Sequence, residues 1–318
     1  MSFAKAVAVG CLILALAVPA SAQAPAVPDP LDPDAVLLEE LVVTAIDKGP
    51  AWWRVSDADT TVYVLGAPGV LPKGQAWDQA VLERRLNGAH TVILPFNSVS
   101  ISLLSVPGLA LQWVRLKGKP MEERLSGDIR RRFVAAREGA GQPAKRYAYK
   151  NELLVGLILV GDYRDSVKLT AADPGKTVAR MAKARKIKTE SRSLSLGPVL
   201  GQATRMGSAA QRACLEDALD EIEAGSAGAR RAGAAWADGD VRGALNQERG
   251  YERCLASVPG ALNLDARFKA EQVAAIERAL AKPGHAVAVV QLRPLLSQGG
   301  VLDRLQAKGF EVKTPGEP

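Results

Sequence analysis

The chain has 318 residues, 47% of them hydrophobic, with a formal net charge of +7, three cysteines and two histidines. That length is enough for one large or two modest domains with a real core, and by itself it names no function. The apolar runs exclude a membrane-spanning mature protein, because none reaches the roughly 20 residues a bilayer-crossing helix needs.

The first residues carry a charge only at Lys5, then an apolar run from Val7 to Val18, then Pro19-Ala20-Ser21-Ala22 before Gln23. This predicts a cleavable export signal over 1–22, cut near Ala22, and a periplasmic or secreted product. Cys11 lies inside the apolar run and reads as signal core rather than as a lipid-bearing cysteine. Residues 23–49 are expected to be a Pro-rich linker and N-terminal segment, with Pro25, Pro28, Pro30 and Pro33 favouring an extended tether up to Asp34. Between Leu37 and Ile46 the pattern does not separate helix from strand.

From Trp52 the signals sharpen. Trp52 to Ser56 and Thr60 to Leu65 predict strands of a hairpin turned at Asp57-Ala58-Asp59. A loop from Gly66 to Gly74, a helix from Trp77 to Leu86 and a buried strand from Thr91 to Leu94 before Pro95 follow. Ile101 to Ser195 predicts helices punctuated at Pro107-Gly108, Gly139 to Pro143 and Pro174-Gly175. An insert over about 208–256 should begin with a Ser208/Gln211 capping box and a helix bearing Leu215, Ala218, Leu219 and Ile222, stopped at Gly225. Helices around Gly233 to Ala237 and from Val241 to Leu255 then return Cys254 beside Cys214. In an oxidising compartment this isolated pair reads as a disulfide, its spacing being far too wide for a C-x-x-C redox centre.

The last stretch predicts a helix from Asp265 with Val273, Ile276 and Leu280 on one face, a continuous apolar strand from Ala286 to Leu292 and a loop from Arg293 to Gly299. A helix from Val301 to Lys308 and a strand from Phe310 to Lys313 close it. The fold class is therefore α/β: a mixed β-sheet core from the N- and C-terminal segments with a largely helical middle, one domain over 50–313 and a tail over 314–318.

None of the usual catalytic signatures is present: no H-E-x-x-H, no G-x-x-x-x-G-K-[ST], no G-x-G-x-x-G after a strand, no G-x-S-x-G. His90 and His285 each precede a buried strand and read as edge residues with satisfied rings rather than as metal ligands. Arg130-Arg131-Arg132 and the stretch Arg180, Lys183, Arg185, Lys186 and Lys188 read as solvated helix faces, and the second holds no aromatic side chain on which bases could stack. The basic balance points an exported chain toward an envelope polymer or protein and not toward nucleic acid.

Pro50-Ala51-Trp52-Trp53-Arg54-Val55, Thr61-Val62-Tyr63-Val64-Leu65-Gly66 and Val70-Leu71-Pro72, with Trp77 after them, are similar to the TraB/GumN (Tiki-like) family. The closing helix through Leu280, Pro283-Gly284, the strand Ala286 to Val290 and Gly309-Phe310-Glu311-Val312 add to the likeness, and the segment with Cys214, Trp236, Gly239-Asp240 and Cys254 is similar to an insert in some members. The resemblance implies a fold of the erythromycin-esterase/ChaN-like superfamily and, for active members, metal-dependent hydrolysis.

It also implies where the metal-binding groups would lie. A G-x-x-H follows the second strand in active members, and here it reads Gly66-Ala67-Pro68-Gly69; a glutamate ends the next strand, and here Pro95 stands there. The second G-x-x-H falls at Val290-Gln291-Leu292-Arg293, with Pro294 the other candidate for its last position. Gly66, Gly69, Pro95 and Arg293 are thus the positions of a former pocket, with Arg293 suited to an anion and none suited to a metal. The expectation is a non-catalytic binding or scaffolding module without a cofactor. The alternative is a divergent metal-dependent hydrolase with other ligands, or one using a nucleophile such as Ser98 or Ser100. A third reading, a purely electrostatic surface binder using Arg180 to Lys188, predicts binding that falls steeply with salt.

Overall fold

The computed structural model describes residue 32 and residues 34–95, 98–100, 114, 116–191, 193–195, 202, 205–247 and 249–316. The expected export signal and the Pro107-Gly108 break lie outside these. In chain order the strands are β1 (Trp52–Ser56), β2 (Thr60–Ala67), β3 (Leu71–Pro72), β4 (Val92–Ile93), β5 (Ser98–Ser100), β6 (Leu169–Thr170), β7 (Thr189–Glu190), β8 (Ser193–Ser195), β9 (Gly284–Gln291) and β10 (Glu311–Lys313). Six of them form one mixed sheet in the order β10-β1-β2-β9-β4-β7.

The β1–β2 hairpin is antiparallel, and its turn is held by Asp57, whose Oδ1 accepts from the amides of Asp59 at 3.2 Å and Thr60 at 2.9 Å. Beyond β2 the sheet becomes parallel, with Thr60 opposite Gly284 and Ala67 opposite Gln291 on β9, then Val92 opposite Val287 on β4. Ala286, Val287, Ala288, Val289 and Val290 are fully buried, as are Val62, Val64 and Leu65 beside them. Parallel strands covered on both faces read as continuous apolar runs, which is why β9 is evident from sequence. The helices Ala80–Leu86 and Ala261–Leu280 pack on this sheet.

The middle of the chain builds a second core. Helices Gly127–Gly139, Glu152–Ser166 and Ser208–Ala224 pack together around Met121, Phe133, Tyr147, Val155, Leu159, Leu215 and Leu219. The expected basic faces are partly committed here: Arg131 pairs with Asp128 at 2.7 Å, and Arg132 pairs with Asp220 and Glu223. A third cluster joins Cys214 and Cys254 to Leu153, Val160, Ala218 and Val258. The two cysteines form a disulfide, with Cα atoms 5.3 Å apart, between helices Ser208–Ala224 and Gly250–Ala256.

Several elements differ from the sequence reading. Residues 37–46 form neither a regular helix nor a strand, but a 3₁₀ turn at Glu39–Leu41 flanked by single bridges of Leu37 to Ser297 and Thr44 to Asp240. The helix expected from Val241 to Leu255 is two, Val241–Leu245 and Gly250–Ala256. The capping box is absent: Gly207 is the N-cap, and Gln211 instead donates to the Met206 carbonyl at 2.7 Å and accepts from the Glu152 amide at 3.3 Å. Tertiary partners have taken the polar group that local spacing assigned to the cap. Arg293 does not lie in a loop but in a one-turn helix, Leu292–Leu296, continuous with β9.

The disulfide closes a sequence separation of 40 residues. In the chain-entropy treatment a loop of that size contributes about 3–4 kcal/mol. A Cys214→Ser/Cys254→Ser double variant should therefore lose about that much in urea denaturation followed by far-ultraviolet circular dichroism, and reductant should lower the midpoint of the parent but not of the variant.

Candidate ligand pocket at the carboxyl ends of the parallel strands

In open α/β sheets the ligand crevice lies outside the carboxyl ends of the parallel strands. β2 and β9 end level with one another here, and just beyond them is a cavity of about 490 Å³ that includes Pro68 and Gly69 after β2 and Gln291, Leu292, Arg293 and Pro294 after β9. Its remaining walls come from the helical insert, from Leu153 and Leu157 of the helix Glu152–Ser166, from Val258 and the helix Ala261–Leu280, and from Asp32 and Asp34.

The four positions singled out in the sequence part company. Gly69 and Arg293 line the cavity together. A side chain at Gly69 would meet no atom within 4 Å. Gly66 is buried instead within β2: a Cβ there would overlap Leu292 Cδ2 and lie 2.7 Å from Trp53 Cζ3. Its carbonyl accepts a 2.7 Å bond from Trp236 Nε1, which ties the insert to the sheet. Pro95 is also off the cavity wall, its ring lying against Gly175, where a Cβ would come within 3.0 Å of Pro95 Cγ. The expectation of four pocket positions is thus corrected to two. β4 pairs with β9 at Val92 and Ile93, and Pro95 just after it lies against Gly175 of the helix Asp173–Ala184.

Arg293 carries the distinctive electrostatics. Its Nη2 donates to the Leu245 carbonyl at 2.6 Å, and among the described residues it forms no ion pair. Burial, followed by the neighbouring Arg249 charge, lowers its guanidinium to about 10, still fully cationic at neutral pH.

The acids of the cavity are already engaged. Asp32 accepts two bonds from Arg249 at 2.6 and 3.0 Å. The buried Lys269 ammonium sits between Asp34 at 2.8 Å and Asp265 at 2.9 Å, with Ser297 Oγ donating to Asp34 at 2.8 Å. Glu252 shares Arg164 with Glu221, at 3.1 and 2.6 Å, and its Oε2 is buried without a hydrogen bond. Burial raises the Asp265 carboxyl even though Lys269 opposes it.

Sequence reasoning missed this network. The Asp265–Lys269 pair carries a signal, the i,i+4 spacing of a helix face, whereas Asp32 and Asp34 sit in the stretch read as a tether and Arg249 has no local signature. Asp32 is only 6% exposed, so the chain is anchored from that residue on.

These residues do not fit a divalent metal. Gly69 has no donor, Arg293 repels a cation, the cavity carboxylates are held by Arg249, Lys269 and Arg164, and among the described residues no group of three or more His, Cys, Asp and Glu side chains is arranged to hold an ion. The histidines lie at the amino ends of β4 and β9, away from the cavity, where the His90 amide bonds the His285 carbonyl at 2.9 Å. The His285 ring engages the Arg85 carbonyl at 3.0 Å, but His90 Nε2 is buried without a partner, so only one of the two rings is satisfied as expected. Burial, with Lys282 and His285 nearby, lowers the His90 pKa. The backbones of Ser98 and Ser100 lie on β5, paired with β8 and apart from the main sheet.

A mixed α/β sheet carrying a helical insert, with its pocket at the carboxyl ends of β2 and β9, defines the class of protein. The TraB/PrgY/gumN family model matches residues 51–314, and the chain belongs to that family. Comparison with curated proteins and with solved structures gives no match.

The two glycines make opposite predictions. Gly66→Ala should cost about 1–3 kcal/mol through overpacking against Leu292 and Trp53, whereas Gly69→Ala should stay within about 0.5 kcal/mol of the parent; parallel urea titrations of the two variants check both.

Proposed function

We propose that this chain is an exported, non-catalytic member of its family that uses the pocket beyond β2 and β9 to bind an anionic group on a cell-envelope component. The carrying observation is that Gly69 and Arg293, where the family resemblance puts metal-binding histidines, open on one cavity and supply no metal donor, only a guanidinium without an acidic partner. Guanidinium pairs bidentately with carboxylate or phosphate, so the substitution exchanges a metal's chemistry for an anion's.

Export is supported by the signal-like N-terminus and accords with the Cys214–Cys254 disulfide, since such bonds persist in oxidising compartments. No helix among the described residues is long and apolar enough to cross a membrane. The basic residues from Arg180 to Lys188 lie apart from the pocket lining, so binding at the pocket should tolerate salt better than a surface patch would.

Hydrogen bonds to a charged group contribute roughly 1.5–3 kcal/mol. Arg293→Ala should therefore weaken co-sedimentation of the mature protein with isolated envelope fractions by about 10- to 100-fold, with Arg293→Lys intermediate and circular dichroism unchanged. Equal binding by Arg293→Ala would reject the role of Arg293. Stoichiometric metal in the purified protein together with peptidase turnover in added manganese or cobalt would replace this reading with the hydrolase one.

A further inference from the structure

We infer that the anion this pocket takes is the head group of a single-chain amphiphile, with an acyl chain lying along the cavity wall and its carboxylate or phosphate at Arg293. The inference rests on the reading of the pocket as an anion site and adds the chemical class of the ligand. It follows from the contrast between the cavity's hydrocarbon lining and the Arg293 guanidinium.

Much of the wall is hydrocarbon, including Leu153, Leu157, Leu255, Val258, Leu262 and Phe268. Leu153 and Val258 are almost fully buried, while Leu262 is 40% exposed and is one of three large apolar side chains so exposed among the described residues. A cavity of about 490 Å³ lies inside the roughly 300–1,000 Å³ range of small-molecule sites. Such a wall returns free energy only to a ligand that brings apolar surface to it.

The polar groups select the sign of the head. Asp32 is paired with Arg249, Asp34 and Asp265 share Lys269, and Glu252 shares Arg164 with Glu221, whereas the Arg293 guanidinium has a carbonyl as its hydrogen-bond partner and no direct ion pair among the described residues. Its hydrogen bond to the Leu245 carbonyl uses Nη2 alone and holds the planar group on the cavity wall.

A polysaccharide segment fits poorly here. Its hydroxyls would face leucine and valine side chains, and burying a hydroxyl without a partner is unfavourable. An acyl chain has no such groups to satisfy.

The test uses the mature disulfide-bonded protein in equilibrium dialysis against saturated fatty acids from 8 to 16 carbons, against lysophosphatidylglycerol, and against acetate and inorganic phosphate. Affinity should rise several-fold for each added pair of methylenes and level off once the cavity is filled, and the short anions should bind at least 100-fold more weakly. The fatty-acid and lysophospholipid arms distinguish a carboxylate head from a phosphate head. Leu262→Glu, an exposed substitution that leaves the melting temperature unchanged, should weaken long-chain binding at least 10-fold.

If acetate or phosphate binds as tightly as the long chains, and Arg293→Ala abolishes that binding, the amphiphile is overturned while the anion pocket stands. If no probe binds, or binding ignores both Arg293→Ala and Leu262→Glu, the amphiphile falls together with the pocket reading.

Discussion

The parallel pairing of β2 with β9 is the constraint from which the rest of the molecule follows. It joins the N-terminal hairpin to a strand near the other end of the chain, residue by residue from Thr60 opposite Gly284 to Ala67 opposite Gln291. Parallel neighbours need a crossover, and here everything between the two strands serves as one. The fully buried valines and alanines of β9 cannot tolerate a slip without exposing or overfilling the core, so the register is firmly held. Because the strands end level, the residues that follow each of them emerge side by side. Gly69 and Arg293 share a cavity for that reason.

The helical insert is fastened to the same place. Trp236 donates to the Gly66 carbonyl at 2.7 Å and packs at a tilt against Trp77 with ring centroids 5.4 Å apart, while Gln247 donates to the Val70 carbonyl at 3.0 Å. These contacts hold the turn after β2 against the insert, whose leucines then wall the pocket. Leu245 contributes twice, lining the cavity with its side of the insert and accepting the Arg293 bond with its carbonyl. An element that reads in sequence as an elaboration therefore supplies part of the pocket's wall.

Buried charge at this end of the fold is organised in compensated groups. Lys269, 2% exposed, is enclosed by two carboxylates, and Asp32 by the guanidinium of Arg249. Such groups add little net stability over apolar packing, but removing one partner strands the other. Their geometric consequence is plain: Asp32 and Asp34 tether the start of the described chain across the helix Ala261–Leu280 and the turn at Ser297, next to the cavity. Arg293 stands out against this background as the charge whose neighbour is a carbonyl.

The sequence by itself determined what short-range pattern can encode. The β1–β2 hairpin follows from Asp57 and the flanking β-branched runs, β9 from an unbroken apolar stretch, the helix that carries Cys214 from its apolar stripe and the Gly225 stop, and family membership from motifs at both ends. Only the tertiary structure decided which residues meet. It kept Gly69 and Arg293 together, sealed Gly66 beneath Leu292 and Trp53, sent Pro95 to Gly175, and brought Asp32, Asp34 and Arg249 to a pocket that no local pattern placed them in. Propensity and periodicity report the conformation of a few neighbouring residues, whereas a pocket is an agreement among segments hundreds of residues apart, set by strand register and by where each strand ends.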